Sequence, residues 1–290
     1  MVAERELRPR DDGLFTLGAD HGYTESDVRQ QARALTGFRN DWRDGVGPTN
    51  FRYDAKAHDT GVKTIFRRQG AFDWRDSVRL AVAHPAHPAF FVAKLWSYFV
   101  GKPLDRSTSD ALARTYVRGR HQIRPVLEAI LKHPAVYEGP RLVKSPAVYT
   151  AGLLRRLGVP VKTTAYSWLG GMAGQMLFYP PNVAGWDDSR WLDTATWRGR
   201  WWTAQYVLGP LALDPAKARE PYDAAELVDR ALAFWHGPAL TQHTHAALLA
   251  FAEASLADAA RASWKKQQYP AMVVNALRHL IAVSPELQAA

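Results

Sequence analysis

Three places in this sequence bring together residue types that could act on a bound molecule. The first is His58-Asp59 within HDTGVK, with Gly61 and Lys63 close behind. An imidazole serves as a general acid or base, a carboxylate can orient it, and an ammonium can clamp an anion. Neighbours in a chain often point apart, so the same pair reads equally well as a turn cap. The second is Lys144-Ser145, where the lysine offers a further anion clamp. Ser145 precedes a proline and a helical pattern, which marks it as a cap rather than a nucleophile, and no G-x-S-x-G elbow supplies one. The third is PPNVAGW, residues 180–186. A diproline stiffens its loop, so Asn182 and Trp186 are candidates to line a cleft, the alternative being a tryptophan that plugs the core.

Other chemistry finds less support. The histidine pairs of HPAHP (His84, His87) and HTH (His243, His245) lack the i, i+4 spacing of a helical metal site. There is no HExxH, no carboxylate-rich calcium loop and no cysteine, so neither a metal nor a cofactor is expected. GGMAG, residues 170–174, lacks both the GK[ST] ending of a phosphate loop and the dinucleotide glycine spacing.

Composition bounds the rest. With 290 residues, 47% hydrophobic and 22% charged, the chain is globular and long enough for one large domain or two small ones. No apolar run suffices for a membrane helix, and MVAERELRPRDDG has no secretory pattern, so a cytoplasmic chain is expected as written. The net charge of +9 is uneven: residues 1–145 carry 24 basic and 17 acidic side chains, and the remainder 13 and 11. That asymmetry admits a polyanion partner, but no basic run exceeds two residues and no nucleic-acid-binding motif accompanies it. Nucleic acid is therefore not the expected partner.

The elements that must position these groups read as helices. Thr24 and Asp27 form a capping-box pattern ahead of a helix that ends before Gly37. Helices are expected from Trp74, over PAFFVAKLWSYFV with Phe91, Leu95, Tyr98 and Phe99 on one face, and over 109–118 and 121–133. SPAVYTAGLLRRLG carries a serine cap, proline at the first position and a terminal Gly158. Three more helices are expected near 223–237, 241–264 and 270–283. Long irregular loops are expected at about 39–71 and 170–190, where glycines and prolines collect. Short strands are conceivable at Phe51–Tyr53 and Lys63–Phe66, but nothing demands a sheet. Trp191, Trp197, Trp201 and Trp202 read as core more readily than as a ligand platform. The fold class is mostly α and bundle-like, in one or two lobes: a main region over 1–210 and a C-terminal lobe over 211–290, joined by LALDPAKAREPYD.

Several segments in fixed order carry a resemblance: GYTESDVRQQARALTGF, FRYDAKAHDTGVKTI, HPAHPAFFVAKLWSYFV, KSPAVYTAGLLRRLG, GQMLFYPPNVAGW and LRHLIAVSPELQ. Together they resemble the bacterial family called domain of unknown function 1800. The resemblance implies a predominantly helical fold and no established activity. Family members are usually longer, so the chain looks like their C-terminal part, with a helical half absent upstream. Many relatives are thought to be exported and are encoded beside a sulfatase-like family, which the resemblance offers as a partner. Arg52, His58, Asp59, Gly61, Lys63, Lys94, Trp96, Lys144, Gln175, Asn182 and Trp186 match the family pattern. VAERELRPRDDG departs from it, and so does His87, which stands where relatives usually carry a small residue.

Three functional readings follow, the third being polyanion binding by the more basic first half. The first is a partner-binding or scaffold component of an envelope-associated system. The second is an enzyme acting on an anionic small molecule between the HDTGVK and PPNVAGW loops. There His58 and Asp59 would be catalytic, and Arg52, Lys63, Lys94, Lys144, Gln175, Asn182 and Trp186 would bind the ligand.

Overall fold

A computed structural model describes residues 16–18, 22–182, 185–221, 223–261 and 266–289. Among them the chain is mostly α-helical with two small two-stranded sheets, in two compact units, 1–140 and 141–290.

The first unit opens with α1 (Glu25–Ala34), started by a complete capping box between Thr24 and Asp27. The expected irregular loop at 39–71 is instead largely built of hairpins, which corrects that expectation. β1 (Phe38–Arg43) pairs antiparallel with β2 (Gly47–Tyr53), and β3 (Lys63–Ile65) with β4 (Arg68–Gly70). β1 is exposed along its whole length, so burial imposes no alternation on its sequence. β3 does alternate: Lys63 and Ile65 are buried against α1, and Thr64 is exposed.

Five helices follow: α2 (Trp74–Val82), α3 (His87–Phe99), α4 (Arg106–Arg118), α5 (Ile123–Leu131) and α6 (Ala135–Glu138). Val92, Trp96 and Val100 on and just after α3 pack with Leu112, Tyr116, Val126 and Ile130 in a common core. The buried stripe of α3 therefore runs one residue beyond the expected one, and Tyr98 is exposed. His87 lies buried among these helices, its Nδ1 2.8 Å from the Thr16 carbonyl oxygen and its Nε2 3.1 Å from the Tyr116 hydroxyl.

The second unit begins with α7 (Pro146–Leu157). Ser145 caps it by accepting from the Val148 amide, and Gly158 ends it in the left-handed region. It continues with α8 (Ala165–Met172), α9 (Thr194–Leu208), α10 (Ala224–Phe234), α11 (Gln242–Arg261), α12 (Tyr269–Ala282) and α13 (Pro285–Gln288). Tyr149, Leu153 and Leu154 of α7 share one core with residues of α9 to α13. The stretch 211–223 lies inside this unit, and helices on both sides of it contribute to that core. Trp235 is wholly buried and donates from Nε1 to the Arg278 carbonyl at 2.9 Å. Of the 191–202 tryptophans, Trp197 packs against the core, whereas Trp201 and Trp202 are exposed. Gly199 lets α9 cross the end of α8, because a Cβ there would come within 2.5 Å of backbone atoms of Met172 and Ala173.

Arg200 of α9 is completely buried. Its Nε donates to the Trp191 carbonyl at 2.9 Å, one terminal nitrogen to Gln288 Oε1 at 3.0 Å, and the other to the Lys144 carbonyl at 2.7 Å. A planar fork reaching three acceptors is beyond a lysine. Arg200→Lys and Arg200→Met should each lower unfolding free energy by about 2–4 kcal/mol, because buried acceptors are left unpaired. Guanidinium unfolding followed by tryptophan fluorescence measures this.

Candidate functional site

The HDTGVK loop belongs to the first unit, and its polar groups are occupied in closing it. The Asp59 carboxylate takes two hydrogen bonds from Arg33 of α1, from Nε at 2.7 Å and from a terminal nitrogen at 3.1 Å. The Gly61 amide adds a third at 2.8 Å. A Cβ at Gly61 would sit 2.8 Å from the Arg33 guanidinium, so a larger residue there would displace this pair. The paired Arg33 guanidinium first, and then the Gly61 amide, hold the Asp59 carboxyl down at about 2.

Lys63, buried at the start of β3, donates to the carbonyls of Asp59 and Gly61 and lies 3.9 Å from the Asp59 carboxylate. Burial pushes its ammonium below the usual lysine range, partly offset by Asp59. Thr36 ties the loop to the end of α1, accepting from the Asp59 amide at 2.8 Å and donating to the Arg33 carbonyl at 2.7 Å. The His58 ring faces this turn, with Nδ1 3.1 Å from the Thr36 carbonyl. Asp59 is thus committed to Arg33 and does not orient His58, so the expected acid–base dyad does not form. Lys63 faces its own loop carbonyls and is not presented as an anion clamp.

Two other candidates of this unit lie on exposed surfaces. Arg52 on β2 pairs across the hairpin with Asp41 at 3.0 Å, and Lys94 on α3 lies over the Phe90 ring at 5.4 Å. Trp96 is a core residue whose Nε1 donates to the Lys102 carbonyl at 2.7 Å. The turn of the β3–β4 hairpin puts Phe66 and Arg67 at positive φ and borders a 580 Å³ cavity with Arg68, Asp27 and His84.

In the second unit the remaining candidates separate into two places. Lys144 is fixed by its backbone: its amide donates to the Gln288 carbonyl at 2.8 Å, and its carbonyl accepts from Arg200. Its ammonium donates to the Leu287 carbonyl at 2.9 Å. Gln175 is buried, and its side-chain oxygen accepts from the Ala147 amide at 3.0 Å, capping the first turn of α7 beside Ser145.

Asn182 is exposed, with its carbonyl accepting from the Gly185 amide at 3.1 Å, and Trp186 is half-buried. Trp186 lines an open groove of 490 Å³ with Trp168, Met172, Met176, Tyr179 and Pro181. The neighbouring chain is unusually apolar for a surface. Met176, Leu177, Phe178 and Tyr179 are all exposed, Phe178 by 96%. Phe178 also has φ +61°, a conformation that costs a bulky residue energy and persists only where the surroundings impose it. Trp168 stacks near Trp202 with centroids 6.5 Å apart, and Arg198 covers the Trp202 ring.

Sequence reasoning missed Arg33 and Thr36, which do the clamping, and Trp168, Phe178 and Tyr179, which form the apolar surface. The only sequence signal for the last group is a run of four large apolar residues directly before a diproline. Among the described residues, no group of three or more His, Cys, Asp or Glu is placed to hold a metal ion, and no helix is long and apolar enough to cross a membrane.

Because Asp59 has a depressed carboxyl pKa, its contribution to stability is full above the unfolded value near 4 and is lost as pH falls through about 2. The stability gap between the native chain and Asp59→Asn should therefore be constant above about pH 5 and shrink as pH falls below about 4. Paired urea melts across that range test it. Lys63→Met should cost about 1–3 kcal/mol, since two loop carbonyls lose their donor.

No curated protein and no solved structure matches this chain. The profile of one family, described as protein of unknown function (DUF1800), matches residues 13–289, and the chain belongs to that family.

Proposed function

We propose that the protein works by binding a protein partner through the apolar surface of its second unit, rather than by transforming a substrate at the HDTGVK loop. The observation that carries this reading is the run Met176–Tyr179, four large apolar side chains exposed in succession. Protein interfaces are enriched in Trp, Tyr, Phe, Met and Arg, and energetic anchors are most often Trp, Tyr and Arg. Trp168, Met172, Met176, Phe178, Tyr179, Trp202 and Arg198 match that composition. The groove beside them suits an inserted apolar side chain of the partner. Against the enzyme reading stands the loop chemistry: Asp59 and Lys63 are engaged in closing their own loop. An envelope-associated role, with a sulfatase-like protein as the partner, is the specific form of the proposal that the family resemblance suggests.

The test is a photo-crosslinking amino acid at position 179 in producing cells, with exposed Val161 as the control position. The expected result is one discrete, light-dependent protein adduct from 179 and none from 161. Adducts to lipid alone, or the same ladder from both positions, would count against the proposal. Phe178→Gly should abolish the adduct while leaving the melting temperature unchanged or raising it. Glycine relieves the positive φ, and the exposed ring contributes no core packing.

A further inference from the structure

The second unit holds a separate cavity of 460 Å³ lined by Lys144, Arg155 and Arg156, with Tyr149, Gly152, Leu153 and Leu287 completing its walls. Three of its seven lining residues are cations and none is acidic. Ion pairs elsewhere in this unit join other residues: Arg190 to Asp193, Lys217 to Asp214, and Arg230 to Glu220. Among the described residues, no carboxylate forms an ion pair with Lys144, Arg155 or Arg156. Burial, followed by the positive charges of Arg156, Arg141 and Arg200, holds the Lys144 ammonium below the usual lysine range. Lys144, Arg155 and Arg156, with Arg141 and Arg200 acting on Lys144, thus raise the local positive potential.

The positions of these groups are set by structure. Lys144 is anchored through its amide and its carbonyl, and its ammonium gives one hydrogen bond to the Leu287 carbonyl. An ammonium has three donors, which leaves two for a ligand. Arg155 and Arg156 sit in the last turn of α7, exposed, with their charged forks available to the cavity. Gly152 lies in the middle of the same helix, where glycine costs about 1 kcal/mol relative to alanine. No atom lies within 4 Å of where its Cβ would be, so close packing does not demand a glycine there. Its effect is to keep the cavity wall low.

We propose that this cavity binds a phosphorylated small molecule, the phosphate held by Lys144, Arg155 and Arg156 and a compact apolar body resting on Leu153 and Leu287. Arginine forks match phosphate oxygens in pairs, and a fixed ammonium adds a point charge. The cavity exceeds the needs of a bare inorganic anion, and its aliphatic walls reward an organic group. This site is independent of the apolar docking surface and does not require that reading to hold.

The experiment is calorimetric titration of the full chain with phenyl phosphate, inorganic phosphate and phenol. Phenyl phosphate should bind saturably, more tightly than inorganic phosphate, with phenol not binding. Because Arg155 and Arg156 are exposed, the double variant Arg155→Gln/Arg156→Gln should fold normally and lose at least about tenfold in affinity. Gly152→Leu should keep or raise the melting temperature and also weaken binding, by filling the wall. Arg219→Gln, which is exposed and outside the cavity, should bind as the native chain does. The proposal is overturned if phenyl phosphate shows no saturable binding, if the double variant binds as well as the native chain, or if Arg219→Gln weakens binding equally. It is also overturned if only vesicles containing phosphatidic acid bind, since that would make the basic cluster a lipid-headgroup site.

Discussion

The second unit depends on one buried cation. Arg200 carries its charge in the core with no carboxylate partner among the described residues, and its fork is satisfied by two backbone carbonyls and an amide oxygen. Burial lowers its pKa to about 10, which leaves it protonated at neutral pH. Desolvating a charge is expensive, and guanidinium, being weakly hydrated and able to donate in a fixed plane, is the side chain that makes it tolerable. The three acceptors come from distant parts of the chain: residue 144 ahead of α7, residue 191 ahead of α9, and residue 288 in the last helix. One side chain thereby fixes the entry to α7, the end of the long 173–193 loop and the C-terminal turn. Val143 and Ala289 complete the arrangement with a backbone bridge.

Both exposed surfaces of this unit derive from that arrangement. The apolar run Met176–Tyr179 belongs to a segment secured near its start by Gln175 on the Ala147 amide and at its end by Trp191 on Arg200. Between these anchors Phe178 sits in a tight turn, where the Tyr179 amide donates to the Met176 carbonyl at 3.2 Å. The cationic cavity uses the same fixed point, since Arg200 and Gln288 hold the backbone of Lys144 from both sides. Loss of Arg200 would therefore disturb both surfaces together, whereas changes at Phe178 or Arg155 would disturb one alone.

How much of this was legible depends on whether the information is local. α7 could be read almost to the residue, because Ser145, Pro146 and Gly158 each act within one helical turn of their own position. The stripe of α3 reads one residue off because Phe91, Leu95 and Tyr98 are as apolar as Val92 and Trp96, and only Lys94 and Ser97 mark the outer face. β1 lacked the alternation that identifies a strand because neither of its faces is buried. His58, Asp59 and Lys63 stand out as a polar cluster in the sequence, but their roles are not readable there. The partner that decides them, Arg33, lies 26 residues earlier and reaches Asp59 only through the packing of β3 on α1.

The proposed binding role rests on a division of labour among side chains. A catalytic carboxylate or ammonium must be held by neighbours and still have capacity for the reacting group. Asp59 accepts from Arg33 and Gly61, and Lys63 is buried facing its own loop, so their capacity is directed inward. In the second unit two other kinds of group face outward. Phe178, Tyr179 and Trp168 offer apolar area, while Arg155, Arg156 and Lys144 offer positive charge. Apolar area and fixed charge are what binding energy is made from, through water release in the first case and charge-assisted hydrogen bonds in the second. Both kinds supply affinity and orientation. On the proposed reading, the apolar surface and the cationic cavity of the second unit hold two chemically different things at separate places.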